Sequence, residues 1–223
     1  MAAINFSELL VSSVDDIKNS LATLHALISQ LKNNYPDKKP PEFKQLEFET
    51  NRMNNSLMQL LTLHKIDLSH FSLTIDEHSA ADILEDVAAQ QSSLLSLGSI
   101  QLLTQSQSDL FCYCDATHII NALCTLVNNA QRYCLSKVLL SASQEGDYVV
   151  FCLEDDGTGY PEDLLRSDQK VPGLEDTTTG NTHLGLVYVE TIAQLHVKAD
   201  QKGFITTDNN SQFGGARFKL YLP

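Results

Sequence analysis

Glu154-Asp155-Asp156-Gly157-Thr158-Gly159 follows directly on the apolar run Tyr148-Val149-Val150-Phe151-Cys152-Leu153, and the rest of the chain can be read outward from this join. An apolar run closed by glycine turn signals reads as a strand. Upstream, Cys124-Thr125-Leu126-Val127-Asn128-Asn129-Ala130-Gln131-Arg132-Tyr133 has apolar residues at helical spacing, and a helix is predicted from Asp115 to about Tyr133. Downstream, Gly180-Asn181-Thr182-His183-Leu184-Gly185-Leu186 opens a helix predicted over about 184–196. Between the first and third of these segments lies a loop from 157 to about 182. A connection that long inside a compact domain is commonly a functional lid.

The flanking sequence continues the alternation of strands and helices. Phe71-Ser72-Leu73-Thr74-Ile75 alternates as a strand does, and Ser79-Ala80-Ala81-Asp82 resembles a capping box that starts a helix running to about Leu97. Strands are predicted near 99–104, 110–114, 137–144, 147–154, 203–208 and 214–222. The fold class is therefore α+β, with helices on one face of a mostly antiparallel or mixed sheet.

The N-terminal part has a different rhythm. Leu10, Val14, Ile17, Leu21, Leu24, Ile28 and Leu31 recur at alternating spacings of four and three, the pattern of an apolar seam that faces a partner helix. Tyr35-Pro36-Asp37-Lys38-Lys39-Pro40-Pro41 must end that helix, since proline cannot continue it. A second helix is predicted from about Glu42 to Ile66, with Phe43, Leu46, Met53, Leu57, Leu60 or Leu61, and Leu63 or His64 on one face. The two make a helical hairpin, residues 1–68, ahead of a second domain, 69–223. One hairpin cannot bury both sides of its seams, so a homodimer through a four-helix bundle is expected.

Composition narrows the function classes. The 223 residues are 43% hydrophobic, enough for a sizeable core, and carry a formal charge of −13, which repels nucleic acid and anionic membranes. No apolar run reaches membrane-spanning length and the first residues lack a secretory signal, so a cytoplasmic protein with no membrane insertion is expected. The five cysteines, Cys112, Cys114, Cys124, Cys134 and Cys152, read as buried thiols in a reducing compartment. No second Cys or His pair stands at ligand spacing near Cys112 and Cys114, which disfavours a zinc site there.

The order and spacing of the three segments resembles the ATP-binding domain of histidine kinases and their relatives among the Hsp90-type and MutL-type ATPases. The likeness covers about residues 71–223 and extends to Gly214-Gly215-Ala216-Arg217-Phe218-Lys219-Leu220-Tyr221-Leu222-Pro223. It implies ATP or ADP as ligand with Mg2+. Asn129 would supply a neutral amide oxygen to the metal, a hard ligand that adds no negative charge. Asp155 would accept from the adenine amine, Gly157 and Gly159 would let the backbone turn beneath the base, and Arg132 and Tyr133 would stand near the nucleotide. Gly180, Thr182, Leu184 and Gly185 would present backbone N–H groups and a helix N-terminus to phosphate oxygens. Thr125 departs from the family pattern, in which Asn is frequent, and Asn181 and His183 stand where glycine is common.

Val14-Asp15-Asp16-Ile17-Lys18-Asn19-Ser20-Leu21 is similar to the phosphoacceptor segment of histidine-kinase dimerisation domains, with Asp15 in the place of the nucleophilic histidine. A carboxylate is a different and weaker attacking group than imidazole at neutral pH. Asp16 and Asn19 keep the surrounding positions, and His25 does not share the Asp15 face. The resemblance thus implies a dimeric, histidine-kinase-like protein of two-component signalling, a pseudokinase or regulator whose partner is a response regulator or another signalling protein. The alternatives are an adaptor scaffold that no longer binds nucleotide and an active kinase with an atypical acceptor.

Overall fold

The structure is a computed structural model that describes residues 6–34, 41–95, 100–162, 165 and 184–223. Contacts divide the chain into two compact units, Met1–Phe71 and Ser72–Pro223.

The first unit consists of α1 (Phe6–Asn34) and α2 (Pro41–Asp67), which pack on each other. Each helix leaves part of its apolar seam exposed. In α1, Val14, Leu21 and Ile28 are buried, whereas Ile17, Leu24 and Leu31 are 41–50% exposed. In α2, Thr50 and Leu61 are buried, whereas Leu46, Met53 and Leu60 remain exposed at seven-residue intervals. Hydroxyls that would interrupt these faces are satisfied locally: Thr50 Oγ1 donates to the Leu46 carbonyl at 2.8 Å and Thr62 Oγ1 to that of Met58.

The second unit runs β1 (Asp76–Ser79), α3 (Ala80–Leu95), β2 (Gln101–Ser106), β3 (Phe111–Cys114), α4 (Ala116–Tyr133), β4 (Lys137–Glu145), β5 (Tyr148–Asp155), α5 (Leu184–Leu195), β6 (Val197–Lys198), β7 (Gln201–Lys202), β8 (Phe204–Asp208) and β9 (Arg217–Leu222). Five strands form a mixed sheet in the order β2-β4-β5-β9-β8, parallel only between β2 and β4. Its core is the set Val138, Leu140, Phe151, Leu153, Phe218, Leu220 and Leu222, all buried. The register places Leu140 opposite Leu153, Phe151 opposite Leu220 and Leu153 opposite Phe218, so these side chains share one face. Ile83, Leu84 and Val87 of α3, Ile119, Leu123 and Val127 of α4, and Val189 and Ile192 of α5 complete that core. Longer polar and aromatic groups line the other side of the sheet. There Lys219 Nζ meets Glu145 at 2.7 Å, Arg217 meets Asp208 at 2.9 Å, and the Phe204 and Tyr221 rings stack at 4.2 Å.

Two expectations change here. Residues 71–75 are not a strand; the strand begins at Asp76, because hydrogen bonding to β3 decides it and the local alternation does not. The last strand begins at Arg217 and not at Gly214, since Gly214 at φ +89° turns the chain first. The short β6–β7 ribbon has no counterpart in the sequence reading. The helix starts do have one: Asp115 caps α4, its Oδ1 accepting from the His118 N–H at 3.1 Å, and Ser79 Oγ accepts from the Asp82 N–H.

Candidate functional site

The end of β5 is the centre of the site. Asp155 is buried, and one of its oxygens, Oδ1, accepts from the Gly157 N–H at 2.8 Å and the Ala216 N–H at 3.0 Å. Its own N–H donates to the Ala216 carbonyl, and its carbonyl accepts from Ser211 Oγ at 2.7 Å. These bonds fix the carboxylate, and among the described residues no donor reaches its second oxygen, Oδ2. Nor is Oδ2 one of the sealed polar atoms lacking a partner, so it stays open to a donor from outside the fold.

Close backbone approach is what holds this geometry. A Cβ on Gly157 would come within 2.3 Å of the Tyr133 carbonyl oxygen, so the last turn of α4 lies directly against the turn after β5. A Cβ on Gly215 would come within 2.3 Å of Asp155 Oδ1 and 2.5 Å of the Gly157 nitrogen. Gly159 has φ +80° and faces Asn209, whose Oδ1 accepts from the Tyr160 N–H and whose Nδ2 donates to the Tyr160 carbonyl at 2.9 Å. Burial pushes the Tyr160 hydroxyl pKa up, and the nearby Asp155 charge adds to it.

Asp156 points the other way. Its carboxylate accepts from the Leu135, Ser136 and Lys137 N–H groups and from Ser136 Oγ, bonds of 2.7–3.1 Å. Desolvation opposes the charge, but the bonds from Ser136, Lys137 and Leu135 together hold the carboxyl well below the usual carboxylate range. Asp156 is thus a clamp on the α4–β4 connection. Glu154 binds Gln212 through both oxygens, to the backbone N–H at 2.8 Å and to Nε2 at 3.1 Å.

The structure therefore brings together α4 and the β5 turn, which carry Asn129, Arg132, Tyr133, Asp155, Gly157 and Gly159. Asn129 is half-buried and its side chain makes no hydrogen bond among the described residues; Arg132 and Tyr133 are exposed. The preceding Asn128 has a buried Oδ1 with no partner. Leu184 and Gly185 form the half-buried first turn of α5, which packs on α4. Gly180 and Thr182 lie outside the described residues. In the first unit, Asn19 is exposed on α1; Asp15 and Asp16 belong to the same helix, and their side chains lie outside the described set. His25 is exposed on that helix too.

The sequence reading missed the 209–216 segment, in which Asn209, Ser211, Gln212 and Gly215 wrap the β5 end. The Gly214-Gly215 pair was its available signal, but its partner Asp155 is sixty residues earlier. A second omission is the link between α4 and α5. The Asp115 N–H donates to His196 Nε2 at 3.1 Å, His196 Nδ1 donates to the Ile192 carbonyl at 2.8 Å, and His118 Nδ1 hydrogen-bonds the Tyr188 hydroxyl at 3.1 Å.

Comparison with known proteins gives the family and the fold that the chain resembles. Residues 114–223 match the family described as Histidine kinase-, DNA gyrase B-, and HSP90-like ATPase. The sensor histidine kinase CpxA of Escherichia coli is 25% identical over 189 residues, which is 82% of this chain and 39% of that protein. The sensor protein BasS of the same organism is 33% identical over 152 residues, 65% of this chain and 41% of that protein. The chain thus spans about two fifths of the length of these relatives. Among solved structures, the Acinetobacter baumannii histidine kinase AdeS has a TM-score of 0.60 at 19% identity, covering 92% of this chain and 95% of that one. Full-length ShkA in complex with AMPPNP has a TM-score of 0.68 at 18% identity, over 97% of this chain and 45% of that one. These two likenesses concern the fold.

Proposed function

Because the chain belongs to the histidine-kinase family, with a histidine kinase-, DNA gyrase B- and HSP90-like ATPase domain over residues 114–223, we propose that this domain binds ATP or ADP with Mg2+ at the end of β5 and serves as a regulator in two-component signalling. The observation that carries this reading is the divided carboxylate of Asp155: Oδ1 is held by two backbone N–H groups and Oδ2 is left to accept. An exocyclic adenine amine is a donor of the required kind. Asn129, with an uncommitted amide one turn before the α4 terminus, would provide the metal with a neutral oxygen. Arg132 and Tyr133 would flank the ligand, and the first turn of α5 at Leu184 and Gly185, with Gly180 and Thr182 before it, would face the phosphates. Bound Mg-ATP supplies a transferable γ-phosphoryl group. This chain's own part is to hold and orient that group.

Asp15 in the acceptor position is the reason to read the protein as a pseudokinase or regulator, one whose output is a nucleotide-dependent state presented to a response regulator or another signalling protein. Calorimetric titration with ATP and ADP, with and without magnesium, tests the reading. Magnesium-dependent ATP binding is expected, weakened at least tenfold by Asn129→Ala, while Asp155→Asn, which replaces an acceptor oxygen by a donor, abolishes binding of both nucleotides. No heat up to millimolar nucleotide would sink the proposal and leave a scaffold without a ligand.

The same reading includes a dimer through the first unit. It rests on the exposed layers Ile17, Leu24 and Leu31 of α1 and Leu46, Met53 and Leu60 of α2. Apolar residues repeated at seven-residue intervals on both helices form a stripe that a second copy would cover. Leu24→Glu with Met53→Glu is expected to convert a dimer to a monomer in light scattering, with the ATPase domain's melting unchanged. A parent protein that is already monomeric at tens of micromolar would refute this part.

A further inference from the structure

Cys112 and Cys114 lie on one face of β3 with their sulfurs 3.6 Å apart, and both are buried. The alternate residues Phe111 and Tyr113 are exposed on the other face. The nucleotide reading makes no use of this pair.

The separation of the sulfurs selects among thiol chemistries. A disulfide requires about 2.05 Å, so the sulfurs would have to close by about 1.5 Å along a strand whose i and i+2 residues are held roughly 6.6 Å apart. A linear two-coordinate metal ion with bonds of roughly 2.3 Å would instead push them to about 4.6 Å. A tetrahedral zinc ion accepts the separation but needs more ligands, and among the described residues no group of three or more His, Cys, Asp or Glu could hold a metal. A centre bonded to both sulfurs at roughly 2.3 Å and spanning the observed 3.6 Å subtends an angle of about 100°. That is the angle of a pyramidal atom with two sulfur bonds and one bond elsewhere.

We propose that Cys112 and Cys114 form a dithiol chelating site for trivalent organoarsenicals, thiophilic electrophiles that require two sulfurs and no further protein ligand. In water the arsenical is a dihydroxide bearing one carbon substituent. Two S–As bonds form and two As–O bonds break; each thiol proton leaves on a hydroxide as water, and no atom changes oxidation state. The product is uncharged, so its burial carries no ionic desolvation cost beside Asp115. The Cys114 hydrogen bond pulls the Cys112 thiol below its ordinary value against the effect of burial, which favours the first attack. Entry needs only local opening of a two-stranded ribbon, β1 with β3, whose register is four residue pairs long.

The probe is phenylarsine oxide, one equivalent on the full chain, read by intact mass. The expected product carries one phenylarsenic group with two protons lost, survives excess 2-mercaptoethanol and is released by ethanedithiol. It disappears in Cys112→Ala and in Cys114→Ala and persists in Cys124→Ala, Cys134→Ala and Cys152→Ala. Peptide mapping of the parent adduct decides the site even where a variant does not fold. No adduct, an adduct stripped by the monothiol, or arsenic mapped to any other cysteine would overturn the proposal.

Discussion

Gly215→Ala is expected to lower the melting temperature of the ATPase domain by roughly 10 °C and to weaken nucleotide binding more than tenfold. The added methyl would lie 2.3 Å from Asp155 Oδ1, 2.5 Å from the Asp155 carbonyl oxygen and 2.5 Å from the Gly157 nitrogen. All three belong to the turn held together by Asp155, so no flexible side-chain end can move aside. Relief requires separating the β8–β9 connection from the end of β5. That movement breaks the Ala216 N–H bond to Oδ1 and the Ser211 bond to the Asp155 carbonyl. Overpacking of about 1–3 kcal/mol and a charge-assisted hydrogen bond of about 1.5–3 kcal/mol give a loss of about 3–5 kcal/mol. At about 2–4 °C per kcal/mol for a unit of this size, the melting shift follows.

Gly214→Ala is the control that separates crowding from backbone conformation. Gly214 has φ +89° and no heavy atom within 4 Å of the added carbon. Its substitution should cost only the left-handed backbone penalty, about 1–2 kcal/mol. Differential scanning calorimetry of both variants, with calorimetric titration of ATP, distinguishes the two. A Gly215→Ala protein that melts within 2 °C of the parent would show that the turn around Asp155 yields, and the carboxylate would then not be held as described.

The contrast between these neighbouring glycines marks what the sequence can reveal. The motif helix was legible almost to the residue, because the apolar spacing from Ile119 to Val127 has one period. The central strands were legible for a similar reason, since a β5 buried on both faces has few polar residues until Glu154. The proposal of a nucleotide at the end of β5 rests on resemblance, and the packing there was not legible. That Gly215 fits against Asp155, that Asn209 holds Tyr160, and that Asp156 clamps the α4–β4 turn while Asp155 faces inward are consequences of pairings across twenty to sixty residues. Residues 71–75 failed in the opposite sense. Their alternation holds in burial only through Thr74, with Phe71 and Leu73 half-buried and Ser72 and Thr74 exposed, while Ile75 is exposed too, and no neighbouring strand hydrogen-bonds them as a ladder. Period alone does not make a strand without a partner for its backbone.

The α4–α5 link gives the second large effect, a loss of stability in mild acid. His196 is 2% exposed, and Nε2 accepts from the Asp115 N–H while Nδ1 donates to the Ile192 carbonyl. The Nε2 bond requires the neutral ring, since a protonated Nε2 cannot accept, whereas Nδ1 donates to Ile192 in either state. Burial holds the His196 pKa below its ordinary 6.5, with His118 adding to the effect, against the opposing pull of the Ile192 carbonyl and the Asp115 charge. His118 is also lowered by burial, again opposed by Asp115. Above pH 6.5 the ring is neutral in both folded and unfolded chains and there is no penalty. As pH falls below 6.5 the unfolded chain takes up the proton that the folded protein refuses, so stability drops. It continues to drop until the folded pKa is reached, at about 1.4 kcal/mol per pH unit for one group. The loss therefore runs from pH 6.5 down to the depressed folded value and reads out as a melting temperature that falls in mild acid. His196→Gln keeps an acceptor near the Asp115 N–H and cannot titrate. It should melt lower than the parent at pH 7.5 and lose much less between pH 7 and 5. Equal acid slopes in the two proteins would assign the sensitivity to carboxylates and leave the link between the helices without a role in it.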